Sequence, residues 1–159
     1  MSLFRERSIV TTPPDKNRRQ ATFLEALGTL PDFSIYYGHF LAETVVCRRC
    51  GHTYTTHHEK MTDVNIATEV LSDAFTDHFD LALLISADSD LVGPIQRVRH
   101  LFPDKRVVVV FPPARHSNAL KNVANACLHL DRATLVKSMF PDRVAKPDGF
   151  VLRRPAEWR

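Results

Sequence analysis

A three-layer α/β/α fold around a mostly parallel sheet is what this sequence predicts, and three observations predict it. FDLALLIS (79–86) and the VVVVF of KRVVVVF (105–111) place apolar side chains at consecutive positions, as strands covered on both faces do. Segments with helical periodicity precede, separate and follow them, and that alternation of strand and helix is the signature of a parallel sheet with helices on its faces. The chain has 159 residues, of which 44% are hydrophobic and 25% charged, enough for one core of ordinary size.

Taken in order, residues 1–16 (MSLFRERSIVTTPPDK) form an N-terminal polar segment broken by Pro13 and Pro14, with RSIVTT (7–12) as a short strand. From Asn17 to about Leu27, the residues Ala21, Phe23, Leu24 and Leu27 fall at helical spacing, and Gly28 and Pro31 end the helix. FSIYYGHFLAETVVCRRCGHTYTTHHEK (33–60) is rich in aromatic and β-branched residues. It reads as a strand followed by an irregular β-hairpin with CRRCGH at its tip. Thr62 stands as N-cap of a helix from Asp63 to about Thr76, whose apolar face is Val64, Ala67, Val70, Leu71, Ala74 and Phe75.

The strand FDLALLIS then leads to a helix, LVGPIQRVRHLF (91–102), with Ile95, Val98 and Leu101 inward. KRVVVVF is the second buried strand. SNALKNVANA (117–126) is a helix, CLHL (127–130) a short strand and DRATLVKSMF (131–140) a last helix. Residues 17–140 thus form the folded domain, and 141–159 a basic, Pro-rich C-terminal tail whose Trp158 is expected to dock.

No apolar run approaches the roughly 18–20 residues of a membrane span, and the basic N-terminus lacks a signal-peptide apolar region. The chain is therefore expected in the cytoplasm with no membrane partner. A net charge of +3 permits a polyanionic partner without demanding one. Three cysteines do not make a disulfide framework; Cys127, in NACLHL, reads as a buried small hydrophobe.

The chemistry concentrates where FDLALLIS ends. Ligand sites of parallel sheets collect beyond the carboxyl ends of the strands, and ADSD (87–90) puts Asp88 and Asp90 there. In extended backbone, residues i and i+2 point to one side, so the two carboxylates face a common point. Asp63, at a helix start, can reach the same edge, although helix starts favour a carboxylate in any case. Converging carboxylates raise one another's pKa. A hard divalent cation such as Mg²⁺ or Mn²⁺ reverses that repulsion, activates water and stabilises charge on a phosphodiester. A polar turn with Ser89 or Asp90 capping the next helix explains the same residues locally.

The stretch from Glu59 to Pro113 resembles the NYN domain family of PIN-like ribonucleases. Its EK-x-x-DV helix start stands here as Glu59-Lys60-Met61-Thr62-Asp63-Val64, its S-x-DSD strand end as Ser86-Ala87-Asp88-Ser89-Asp90, and its K-x-V-V-V strand as Lys105-Arg106-Val107-Val108-Val109. The likeness extends over roughly residues 17–131. It implies a PIN-like α/β/α fold and a metal-dependent ribonuclease, with Asp63, Asp88 and Asp90 as catalytic carboxylates for Mg²⁺ or Mn²⁺ and with Asn65 and Ser86 as neighbours. Family members usually open on a strand carrying D-G-x-N, and these 159 residues hold no such segment. That departure implies exposed strand edges and self-association, and it raises a second reading, a non-catalytic RNA- or protein-binding module.

DSDLV (88–92) also fits the D-x-D-x-[TV] of haloacid-dehalogenase-type phosphatases. That motif belongs on a first strand with an acidic pair downstream, and neither condition holds here. CRRCGHTYTTHH (47–58) has the C-x-x-C-G spacing of a zinc knuckle. A structural Zn²⁺ needs four ligands, so Cys47 and Cys50 require His52, His57 or His58, or a partner chain, to complete the set. Arg115 and Lys121, with His116, follow the VVVVF strand at the same sheet edge as the aspartates and are expected to meet RNA phosphates. Arg48 and Arg49 can do so from the hairpin.

Overall fold

The computed structural model describes residues 2–5 and 15–158, with the backbone alone for 2–5, 16, 39–41 and 56–60. RSIVTT therefore lies outside the described residues. The elements in chain order are β1 (Ser2–Arg5), α1 (Lys16–Leu27), β2 (Ser34–Tyr37), β3 (His39–Val46), β4 (Thr53–Lys60), α2 (Thr62–Phe75) and β5 (Leu81–Ile85). A one-turn 3-10 helix (Ser89–Leu91) and α3 (Val92–Leu101) follow, then β6 (Arg106–Phe111), α4 (Asn118–Val123), β7 (Ala126–His129), α5 (Arg132–Lys137), β8 (Arg143–Ala145) and β9 (Val151–Arg153). The chain divides into two compact units, one of residues 1–62 and 140–159, the other of residues 63–139. No helix among the described residues is long and apolar enough to cross a membrane.

In the first unit β1 pairs with β2 in parallel, and β3 with β4 in an antiparallel ladder from His39↔Lys60 to Val46↔Thr53. Helix α1 buries Leu24, Ala26 and Leu27. The C-terminal tail folds as a hairpin, β8 against β9, with Gly149 at φ +84° making its turn, a conformation that costs glycine little. Trp158 docks edge-on to Phe23 at 6.0 Å, Phe140 meets the same ring at 6.3 Å, and Lys146 pairs with Glu25 at 3.0 Å.

In the second unit β5, β6 and β7 form a parallel sheet in that order. Strand β6 is buried on both faces from Val107 to Phe111. Around it close Ala74 of α2, Leu91, Ile95 and Val98, and Leu120 of α4. Pro94 lies in the first turn of α3, where its missing N–H breaks no helical bond. Ser117 and Asp131 cap α4 and α5 by accepting the N–H groups of Leu120 and Thr134.

Four local expectations are corrected. Strand β5 is not covered on both faces: Leu81, Leu83 and Ile85, which share one face, remain 49%, 60% and 54% exposed, so that face of this edge strand lies open. Leu101 is exposed at the end of α3, and Phe102 turns onto the core beyond it. Val64 and Phe75, at the two ends of α2, point away from the core that Ala74 enters. Thr62 does not cap α2; it is the first helical residue, and its hydroxyl is buried without a hydrogen-bond partner.

Lys105 has a structural task. It is buried, and its Nζ donates to Asp77 Oδ1 at 2.5 Å and to the Phe79 carbonyl at 2.6 Å, tying the approach to β5 to the start of β6. The hydrogen bond and charge of Lys105 hold the Asp77 carboxyl below the ordinary carboxylate range. A carboxyl depressed by folding contributes stability above its unfolded pKa of about 3.9, lost as pH falls through its lower folded value. Lys105→Met keeps the buried stem but leaves the Phe79 carbonyl without this donor. It is expected to cost about 1–3 kcal/mol near neutrality. Urea titrations from pH 7 down to pH 2 should show the gap between wild type and variant narrowing at the acid end. A constant gap would remove the ion pair from the account.

Candidate functional site

The parallel register of β5 on β6 decides what meets at the carboxyl edge of the second unit. Because Ile85 pairs with Val110, the segments Ser86–Ser89 and Pro112–Arg115 leave the sheet side by side. They line an open cleft of about 560 Å³, formed by Ile85, Ser86, Ala87, Asp88, Ser89, Pro112 and Arg115. A turn closed by the Arg115 N–H on the Pro112 carbonyl at 3.1 Å brings Arg115 into the lining of the cleft. Within that turn Ala114 has φ +58°, a left-handed conformation that is sterically unfavourable for a residue with a Cβ.

Asp88 occupies extended backbone at the strand exit, with φ −83° and ψ 120°. Its N–H donates to Ser86 Oγ at 3.1 Å, and its Oδ1 accepts the Asp90 N–H at 3.0 Å. Asp88, rather than Ser89 or Asp90, is therefore the cap of the 3-10 turn. Capping does not consume the carboxylate, which offers about four lone-pair sites on two oxygens. Asp90 follows in that turn, exposed.

Asp63 stands in the first turn of α2, where the helix dipole favours a negative charge. Its carboxyl is nevertheless pushed above the ordinary range, first by desolvation and then by the negative charges of Asp88 and Asp90. The three aspartates thus share one electrostatic neighbourhood. Among the described residues, no three His, Cys, Asp or Glu side chains converge closely enough to hold a metal ion together. This donor set still suits Mg²⁺ or Mn²⁺, because such ions keep several waters and bind through one or two carboxylates. The charge crowding at Asp63 is the feature that a dication would relieve.

Of the other expected site residues, Ser86 and Arg115 line the cleft, whereas Lys121 lies exposed in the last turn of α4 and Asn65 half-buried in the first turn of α2. Cys47, Cys50 and His52 belong to the turn between β3 and β4 in the first unit. The side chain of His58, on β4, lies outside the described residues. His129, and its pairing with His116, was missed. His116 and His129 stack at 5.6 Å between centroids, 9° from parallel, and both rest on Phe111 at 4.5 and 5.2 Å. The signal lay in the β6–β7 register, which sets Phe111 opposite His129 and is invisible to local periodicity.

A family model for the NYN domain matches residues 15–131. Comparison with curated proteins gives no match. Among solved structures, a protein of unknown function from Vibrio parahaemolyticus RIMD 2210633 is similar to this chain at 21% identity. The match covers 80% of this chain and 67% of that one, with a TM-score of 0.49.

Proposed function

Because the chain belongs to the NYN domain family, we propose that it is a metal-dependent ribonuclease, with Asp63, Asp88 and Asp90 holding Mg²⁺ or Mn²⁺ for hydrolysis of RNA phosphodiesters. The observation that supports this reading most is the place of Asp88 at the carboxyl edge of a parallel sheet, in one cleft with Arg115, near an Asp63 carboxyl pushed up by desolvation first and by the charges of Asp88 and Asp90 second. Repulsion of that kind is unfavourable without a cation and useful with one. A bound Mg²⁺ or Mn²⁺ would supply Lewis acidity toward the phosphodiester and lower the pKa of water.

The chain's own residues divide the remaining work. Arg115, which lines the same cleft as Asp88, can present a planar guanidinium to a phosphate oxygen. Ser86 holds the Asp88 backbone at the strand exit. The exposed rings of His116 and His129 offer a flat surface on which an unstacked base can lie, as single-stranded RNA readers use aromatic planes. Hydrolysis adds water across one P–O bond, leaving a phosphate on one product end and a hydroxyl on the other.

A second reading, a non-catalytic RNA- or protein-binding module, draws support from the absence of a converging acidic triad among the described residues. One experiment separates the two. Single-stranded RNA is incubated with the purified chain in Mn²⁺, in Mg²⁺ and in chelator, while binding is followed in parallel. Cleavage that appears with either ion and stops with chelator is expected. Binding with no cleavage under any condition favours the module, and cleavage unaffected by chelator removes the metal from the account.

A further inference from the structure

The turn between β3 and β4 carries chemistry that the acidic edge does not use. The Cys47 N–H donates to the His52 carbonyl at 2.8 Å and the Gly51 N–H to the Cys47 carbonyl at 2.9 Å, which draws the strand ends together. Gly51, at φ +70°, turns the chain back immediately after Cys50. The closed turn from Cys47 to Gly51 spans Cys50, so the Cys47 sulfur lies within electrostatic reach of the Cys50 thiol and of the Arg49 and Cys50 backbone N–H groups. The two sulfurs are therefore neighbours, both are free thiols, and Cys50 is exposed. Backbone N–H donors behind a sulfur partly offset thiolate charge while its other lone pairs remain available to a soft or borderline cation such as Zn²⁺.

Redox-active C-x-x-C pairs commonly gain their reactivity from a helix N-terminus. Here strands flank the pair on both sides, so that source of activation is missing and a ligand role suits the geometry better.

The ligand count then decides the architecture. A structural zinc site is closed by four ligands. Among the described residues no third His, Cys, Asp or Glu converges with Cys47 and Cys50, His52 included. The ladder sets the backbones of His57 and His58 four and five residues along β4 from Thr53. At about 3.4 Å per residue that is about 14–17 Å, more than an imidazole and an N–Zn bond of about 2 Å can bridge.

The surroundings suit a second copy. Arg48 and Arg49 are exposed between the cysteines, and Val46 and Tyr54, on the adjoining strand ends, expose apolar surface. Four thiolates around Zn²⁺ carry a net −2, which the four arginines of two copies would offset. We propose that Cys47 and Cys50 form half of a tetrahedral zinc site whose other two thiolates come from a second copy of this chain. A two-fold axis through the metal makes the contact self-complementary. Binding releases the thiol protons to solvent.

The test uses the full chain purified without chelator. Elemental analysis is expected to give one zinc per two chains, and light scattering a dimer that falls to monomer when zinc is removed. Titration of the stripped, reduced wild type with Co²⁺ should raise tetrathiolate absorption to an end point at half an equivalent per chain. Cys47→Ser and Cys50→Ser should each abolish that end point and the dimer. The cobalt end point is read on the wild type and does not depend on either variant folding. One zinc per chain on a monomer, an end point at one equivalent, a dimer that survives zinc removal, or no metal bound would each overturn the proposal. None of these outcomes bears on the acidic edge, which belongs to the other unit.

Discussion

Asp88→Asn is expected to reduce metal-dependent cleavage of single-stranded RNA by about 10²–10³-fold, the usual consequence of deleting one preorganised electrostatic group from a reaction centre, while the fold survives. The reason lies in the two jobs of this side chain. As a cap, Asp88 accepts the Asp90 N–H through one oxygen, and asparagine caps about as well as aspartate. As a ligand in the proposed metal site it would contribute a negative charge, which asparagine does not have. The substitution therefore removes the second job and keeps the first. Removing the charge also relieves Asp63, whose carboxyl should move back toward the ordinary range.

Asp88→Ala loses both jobs and should lower stability as well, by about 1 kcal/mol for the missing cap. Cleavage rates and melting curves of the two variants, taken together, read the roles separately. If Asp88→Asn cuts RNA as fast as wild type, the acidic edge is not the reaction centre. If it melts as early as Asp88→Ala, the capping account is wrong.

Phe111→Ala is expected to be the most costly single truncation in the second unit, by about 3–5 kcal/mol. Phe111 has no exposed surface, ends the strand that is buried on both faces, and is the largest of the fully buried side chains. A whole domain holds only about 5–15 kcal/mol in reserve, so this one ring represents a large share. The loss should also be felt at the edge of the site, because His116 and His129 both lie against the ring. Urea denaturation reads the stability, and the chemical shifts of the two imidazoles read the loosening. A loss below about 1 kcal/mol would show that the pocket collapses around the cavity, and it would weaken the account of this core.

Much of the second unit was legible in its sequence, and the reasons differ between elements. Strand β6 reads correctly because burial on both faces leaves no polar position to obscure the pattern. Helices α4 and α5 follow from short-range spacing, and the residues that open their segments, Ser117 and Asp131, cap them by local hydrogen bonds. Strand β5 was placed correctly but its exposure was not, because an apolar run looks the same in the middle of a sheet as at its edge. Leu101 and Phe75 fail for a related reason: periodicity assigns a face along a helix but does not say where the neighbouring layer stops. The cap expected at Ser89 or Asp90 falls instead on Asp88, which caps the 3-10 turn ahead of α3, where several good capping residues stand together.

By itself, the sequence determined that strand and helix alternate, that Asp88 and Asp90 follow a strand, and that the chain carries the family motifs; the extended geometry expected to aim both carboxylates to one side gives way to a 3-10 turn over Ser89–Leu91. Only the tertiary structure decided that Arg115 and Asp88 line one cleft, that Asp63 feels both carboxylates, that His129 stacks on His116, and that Lys105 is a buried tie. The division has a physical origin. Backbone geometry repeats over a few residues and imprints itself on any short window. Proximity between distant segments depends on strand register and on where each layer ends, and a short window contains neither.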